Sequence, residues 1–400
     1  MDVDFSFRPG EGLPLTALKR YRDAGPVFWS EALGAWAVTS YAAVQEVLSD
    51  LTRFTSVGTP VEETLGPEGM LLNDTGLHNK MRAVWTRAMS RGAMAARAAE
   101  LERIARDVLE DPRRKIDAGE AVDLMPVIQS FALRFVSSIF GIPEEQLDVI
   151  KRWNELSSDA PVLELDDEGA ARARHLEAKR GVYKLVEDAM ADRRMRLAQG
   201  EEPTDLVALM TAAQGQDGIT PAMACDNLFN IIIGSDTTER WIANAIVRLA
   251  GDPALRKRLR AQPELLEPAL QEVMRIDTVA QVIMRRVKAD AVQLGGQTLG
   301  SGDQIFLLLG AANADPAVFA DAGEFDIDRP AKQNLGFGYG LHNCLGINIA
   351  RQEAIAFVGV LLELFADICL AECDYGSTWA LWGPRRLEAV RALSDHSGSP

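Results

Sequence analysis

Residues 220–249 constrain the fold most. Thr220-Pro221 supplies an N-cap followed by proline at the first helical position. Apolar residues then recur at Leu228, Ile231, Ile232, Ile242, Ile246 and Leu249, until Gly251-Asp252-Pro253 stops the run. About 30 residues at roughly 1.5 Å each predict a helix of roughly 45 Å, long enough to cross a whole domain and buried for much of its length. In its middle stands IIIGSDTTER (231–240). A mid-helix glycine costs about 1 kcal/mol relative to alanine, and Ser235, Asp236, Thr237 and Thr238 compete for backbone hydrogen bonds. So many poor helix formers inside a core-spanning helix imply that something lies against the backbone there. A tolerated local bend is the plainer alternative.

Helix-period patterning dominates elsewhere too, over 101–109, 122–140, 180–197 and 352–365. Strand-like pieces are short and gather at 26–40 and 282–309. The latter contains VQLGGQTLGSGDQIFLLLG, with Gly-Gly and Ser-Gly turn signals between apolar runs. A mainly α chain with small peripheral β-sheets, of α+β type, follows. No repeat or Pro/Gly/Ser-rich linker divides it, so residues 1–400 read as a single domain.

The formal net charge of −16 argues against a nucleic-acid partner, which needs a basic face. The N-terminus MDVDFSFRPGEG has no basic region followed by an apolar run, and the longest apolar run, 305–314, is broken by Gly310 and too short to span a bilayer. A cytoplasmic chain without a membrane anchor is expected. Its cysteines, Cys225, Cys344, Cys369 and Cys373, form no C-x-x-C pair, and inert structural thiols are expected for three of them.

Cys344 is different. It lies in LGFGYGLHNCLG (335–346), a glycine-rich loop running into an amphipathic stretch with Ile349, Phe357, Val360, Leu361 and Leu364. The glycine spacing is wrong for a dinucleotide loop, and no P-loop lysine follows. His342 and Cys344 lack a second pair for zinc. A cysteine where a helix begins has unpaired N–H groups and a positive dipole end to stabilise a thiolate. Glycines let the backbone approach a flat ligand closely. A buried thiolate of this kind suits haem iron.

With those residues in place, FGYGLHNCLG resembles the signature F-x-x-G-x-[HR]-x-C-x-G of the cytochrome P450 monooxygenases, with Phe337, Gly340, His342, Cys344 and Gly346 at its positions. Glu272-Val-Met-Arg275 resembles that family's E-x-x-R helix, and FDIDRP (325–330) its following arginine loop. His78-Asn-Lys-Met-Arg82 resembles its H-x-x-x-R helix, and Gly234-Ser-Asp-Thr-Thr238 its G-x-[DE]-T-[TS] bend. The similarity extends over essentially the whole chain.

The resemblance implies a fold with haem b held between a long oxygen-side helix and the cysteine-loop helix. Cys344 is then the iron's axial ligand. His78, Arg82, Arg285 and His342 would meet the haem propionates, where paired charges suit otherwise expensive buried carboxylates. Arg285 is picked by R-x-x-x-x-D with Asp290, although Arg286 is an adjacent rival, and a solvated surface residue is the alternative for each of the four. Phe337 would pack on the haem near the sulfur, Gly346 completes the loop, and Gly234 leaves room for oxygen and substrate. Glu272, Arg275 and Arg329 would form a structural ion-pair triad. Asp236 and Thr237 would be the catalytic acid–alcohol pair that relays protons to bound dioxygen. Ile233 departs from the alanine or glycine usual before Gly234 and narrows the space above the haem.

The activity implied is insertion of one oxygen atom from O2 into an apolar small-to-medium substrate, by C–H hydroxylation or oxidative dealkylation. A separate ferredoxin and ferredoxin reductase, drawing on NADH or NADPH, would supply electrons to a monomer. Lys80, Arg87, Arg91 and Arg351 are candidates for the docking patch, a solvated helix face being the alternative. Residues 56–73, 227–237, 279–284 and 377–382 are expected around the substrate. They hold Val57, Val61, Leu65, Met70, Leu71, Leu72, Phe229, Val279, Val282, Ile283, Trp379 and Leu381. Rival readings are a haem sensor or carrier without turnover, or a peroxide-driven or rearranging enzyme; Asp236-Thr237 favours the monooxygenase.

Overall fold

The computed structural model describes residues 15–31, 33–159, 169–330, 334–375 and 381–391. The expected mainly helical architecture with peripheral sheets is what forms. A five-stranded sheet takes the order Val27–Ser30, Ala35–Val38, Gln304–Leu308, Val282–Val287 and Phe54–Thr55. Only the second and third of these run parallel, with Ala37 opposite Phe306. Both predicted strand regions therefore meet in one sheet. A second sheet joins Val122–Asp123, Arg386–Arg391 and Ile368–Asp374. The Gly-Gly signal closes the hairpin between Val292–Leu294 and Gln297–Leu299. Its two residues, Gly295 and Gly296, both take positive φ (55° and 84°), the conformation a two-residue hairpin turn requires.

Helices enclose the main core. Trp85, Phe131, Phe135, Trp241, Phe357 and Leu361 are fully buried in it. They come from Gly76–Thr86, Met125–Phe140, Ser235–Gly251 and Ile347–Leu364. The second of these starts three residues later than the patterning predicts, because Val122–Asp123 pair as a strand and Leu124 caps the helix.

The predicted 45 Å helix is two helices, Pro221–Ile232 and Ser235–Gly251. Thr220 caps the first, its side chain accepting from Met223 N at 3.2 Å. At the break, Gly234 N reaches back only three residues, to Ile231 O at 3.2 Å. The Thr237 hydroxyl donates to Gly234 O at 2.9 Å. The polar run thus does what its chemistry allows: a side chain takes a backbone acceptor and the helical ladder is interrupted.

A buried ion-pair cluster ties the helix Leu266–Ile276 to the chain that leads into the cysteine loop. Arg275 donates to both oxygens of Glu272, at 2.8 and 2.7 Å, and Arg329 Nε reaches Glu272 Oε1 at 3.0 Å. Arg275 also donates to the carbonyls of Asn313 and Ala322 at 2.9 and 2.8 Å. Asn313 in turn accepts from Leu335 N at 2.7 Å. This cluster fixes where the loop begins.

Candidate functional site

The cysteine loop is a set of turns pinned by its own backbone. Gly338 and Gly340 adopt φ of 71° and 70°. Gly338 N donates to Leu335 O and Cys344 N to Phe337 O, each at 2.8 Å. A Cβ on Gly340 would lie 2.7 Å from Leu48 O, so glycine is required there by both conformation and space. The following helix begins at Ile347, with Gly346 as its N-cap, three residues later than a helix starting at the cysteine. This places the Cys344 sulfur in front of the first turn, where the Gly346 and Ile347 N–H groups point at it. Burial pushes the thiol up, while those N–H groups and the Arg82 charge favour the thiolate. Phe337 stands edge-on to Trp241 at 5.3 Å between ring centroids.

The sulfur lies in the wall of a cavity of about 330 Å³. Thr75 caps the helix Gly76–Thr86, which presents His78 and Arg82 to this cavity one turn apart. The cysteine loop adds Phe337, His342 and Gly346, and the helix break adds Gly234 and Thr237. The His78 and His342 rings meet edge to face, with centroids 4.8 Å apart. His342 Nε2 is 2.7 Å from Asp74 Oδ1, and Thr55 donates its hydroxyl to Asp74 Oδ2. Burial works against the Asp74 carboxylate, but bonds from His342 and Thr55 and the nearby Arg285 hold it down at about 2. His78 Nδ1 bonds Met70 O at 2.8 Å, and burial lowers the imidazole's pKa.

Strand alternation decides between the two neighbouring arginines. Arg285 is 5% exposed and points inward, where burial lowers its pKa to about 10 against the pull of Asp74. Arg286 faces out and donates to Gly302 O. Arg285 is not among the residues of the cavity wall, and its Nη1 donates to Met284 O at 2.8 Å.

These residues fit haem. His78 Nε2, His342 Nδ1 and Arg285 Nε are buried without partners. Asp74 is balanced by His342 and Arg285, while His78 and Arg82 stand in the cavity wall with His342, an excess of basic groups suited to taking up further carboxylates. The same wall carries a cysteine sulfur with two backbone N–H donors.

Asp236 does not join Thr237 in the cavity wall. It turns to the other side of its helix, where Oδ1 accepts from Arg240 Nε at 3.2 Å and Oδ2 is buried without a partner. There it borders a second, polar cleft of about 180 Å³ with Asn154, Glu239 and Arg385. Adjacent helical residues point about 100° apart, and here that rotation turns Asp236 away from the wall that carries Thr237. Two carboxylates went unpredicted. Glu239 accepts from Asn154 at 3.1 Å, and Glu353, which lines the main cavity, carries an unpartnered Oε1. Burial raises the pKa of both. A charged residue within an apolar helical stripe was the signal available for Glu353.

Of the apolar residues predicted around the substrate, Met70, Leu71, Val279 and Ile283 line the cavity; Val57, Val61, Leu65, Leu72, Phe229, Val282 and Leu381 do not. Trp379 lies outside the described residues. Val136, Ile139 and Phe140 line it unpredicted, and Ala280 lines it from within the expected segment 279–284. In the expected docking patch, Arg91 and Arg351 both pair with Glu267, at 2.9 and 3.2 Å, and Lys80 lies 3.8 Å from Asp217. Among the described residues, no helix is long and apolar enough to cross a membrane.

Comparison with known proteins agrees with this geometry. The sequence profile of the family described as Cytochrome P450 matches residues 18–369. Mycinamicin IV hydroxylase/epoxidase of Micromonospora griseorubida is 31% identical over 374 residues, covering 89% of each chain. The biotin biosynthesis cytochrome P450 of Bacillus subtilis is 27% identical, over 90% of this chain and 89% of that one. CYP109E1 from Bacillus megaterium, solved with testosterone, superposes with a TM-score of 0.85 at 24% identity, over 94% of this chain and 97% of that one. The chain therefore belongs to the cytochrome P450 family, a family of monooxygenases.

Proposed function

We propose that this chain is a cytoplasmic haem-thiolate monooxygenase that inserts one oxygen atom from O2 into an apolar small-to-medium organic molecule. Electrons would come from NADH or NADPH through a separate reductase and ferredoxin. The observation that carries the reading is one cavity with the Cys344 sulfur, the His78 and His342 imidazoles and the Arg82 guanidinium in its wall, and Thr237 at a helix break in the same wall. Its mostly apolar remaining wall suits a hydrophobic substrate. The relative named as a mycinamicin IV hydroxylase/epoxidase supports an oxygen-insertion chemistry.

Haem b, when bound, supplies dioxygen activation and the oxidising power toward C–H bonds. The chain's residues supply the rest. Cys344 would ligate the iron, and the Gly346 and Ile347 N–H groups would steady the negative sulfur. His78, Arg82 and His342 would hold the propionates, with Arg285 behind them acting on the same charges through Asp74. Thr237 lends its hydroxyl from the cavity wall. Asp236 stands on the opposite, polar side of the helix, so protons would travel from that cleft past the break at Gly234 to Thr237.

The test is the reduced protein with carbon monoxide. A thiolate-type red-shifted Soret band is expected, and it should vanish in Cys344→Ala while the protein remains folded. A purified protein that takes up no haem would sink the reading.

A further inference from the structure

Three polar side chains lie on the helix Pro221–Ile232 beneath the segment 66–72. Two have assigned work. Asp226 accepts from the Tyr183 hydroxyl at 2.6 Å and from Glu68 N at 2.9 Å. Asn227 accepts from Met70 N at 2.8 Å and donates to Met223 O at 2.7 Å. Asn230, the third, lines the same cavity as Cys344 and Thr237, and neither its Oδ1 nor its Nδ2 has a partner, although both atoms are shielded from solvent. Burying a polar atom unpaired costs about 1–3 kcal/mol, a penalty that a leucine at this position would not carry.

The neighbouring wall is apolar, with Met70, Leu71, Ile231, Val279 and Ile283. The charged residues of the wall come from the cysteine loop and the helices Gly76–Thr86 and Ile347–Leu364. A carboxamide in this setting matches a neutral group that both donates and accepts. Asn230 precedes Thr237 by seven residues and lies on the other side of the break at Gly234, so the two mark separate stretches of the same wall. Gly69 makes the room: a Cβ there would lie 2.8 Å from Asn230 Nδ2, while its backbone (φ −69°) is one that alanine adopts freely.

We propose that Asn230 is a specificity-determining residue that binds a hydroxyl or amide group of an otherwise apolar substrate, remote from the carbon that is oxidised. The proposal rests on the haem-thiolate reading above. It narrows the substrate class to uncharged molecules with one such polar group well removed from the reacting end.

The test uses the ferric holoprotein and two probes of equal length, N-(hydroxyhexyl)imidazole and N-heptylimidazole. The imidazole nitrogen of each ligates the iron, and its spectral shift reports the Kd without any turnover. The wild type should favour the hydroxyl probe over the alkyl probe. Asn230→Leu should move that ratio toward the alkyl probe by about five- to tenfold. Gly69→Ala, whose Cβ presses on the carboxamide and meets Asp226 Cβ only at an ordinary 3.5 Å, should move it in the same direction and keeps the test open if Asn230→Leu does not fold. An unchanged ratio in the variants, with both probes binding, overturns the role of Asn230 alone. If plain imidazole produces no spectral shift, the haem-thiolate reading fails and this proposal falls with it.

Discussion

The imidazoles of His78 and His342 meet edge to face at 4.8 Å, one from a helix and one from the cysteine loop, more than 260 residues apart in sequence. The contact brings the two family-like histidine motifs to one wall. One nitrogen of each ring is buried without a hydrogen-bond partner, while His342 holds Asp74 through the other.

Acidification should expose the cost of His78. Burial lowers its folded pKa below the ordinary value near 6.5. As pH falls through about 6.5 the unfolded chain takes up a proton that the folded chain does not, so stability is lost. The melting temperature of the haem-free protein should fall between pH 7 and pH 5, and His78→Gln should lessen that fall. Parallel curves for the two proteins would remove His78 as the cause.

Glu239 and Glu353 act with the opposite sign. Burial raises both folded pKa values, so their favourable contribution is complete below the unfolded value near 4.3 and is lost as pH rises through the folded values. Glu353→Gln should therefore raise the melting temperature at pH 8, by about 2 °C, with the gain disappearing toward pH 4. A gain that is constant with pH would point to packing instead of charge.

The Glu272–Arg275–Arg329 cluster should be costly to break. Glu272→Ala leaves two guanidiniums without their shared carboxylate in a site where Arg275 is 2% exposed. Removing one partner of such a buried pair costs about 3–5 kcal/mol. A urea midpoint shift at constant slope would measure it, and because Arg275 also holds the Asn313 carbonyl, weaker haem retention should accompany the loss.

Two loop glycines should behave differently. Gly340→Ala forces a side chain into φ 70° and against Leu48 O, and should destabilise by about 1–2 kcal/mol. Gly346→Ala meets only the Cys344 sulfur at 3.9 Å, with ordinary φ, and should be accepted. Equal stability of the two variants in thermal melts would contradict this account of the loop.

Thr237→Ala should separate electron consumption from product formation. The variant loses the hydroxyl that the cavity wall presents, and about tenfold less product per NADH consumed is expected on a compound that shifts the ferric spin state. Asp236→Asn should slow turnover without altering the binding of that compound, since the carboxylate lies outside the cavity wall. Undiminished coupling in Thr237→Ala would remove Thr237 from proton delivery.

Local features were legible in the sequence where they obey local rules. The Thr220 cap, the Gly295-Gly296 turn, the strands around Ala37 and Ile305, and the weakness of the helix at Gly234 all follow from propensity and hydrogen-bond competition within a few residues. So did the shared faces of His78 with Arg82 and of Glu272 with Arg275, because i,i+3 and i,i+4 neighbours share a face whatever surrounds them. Cys344 and His342 were instead marked by the resemblance of their loop to a family signature.

Other questions depend on what arrives from elsewhere in the chain. Arg285 rather than Arg286 is buried because the strand Val282–Val287 pairs with Gln304–Leu308 and turns alternate residues inward. Asp236 and Thr237, adjacent in sequence, face different cavities because the helix carries them between two walls. Asp74 enters the basic cluster, Glu353 the cavity wall and Asn230 its unpartnered place under Gly69. Motif and spacing name the groups that can do chemistry. Which way each one faces, and whether water or a partner reaches it, is set by distant segments packing together, and only the tertiary structure decides that.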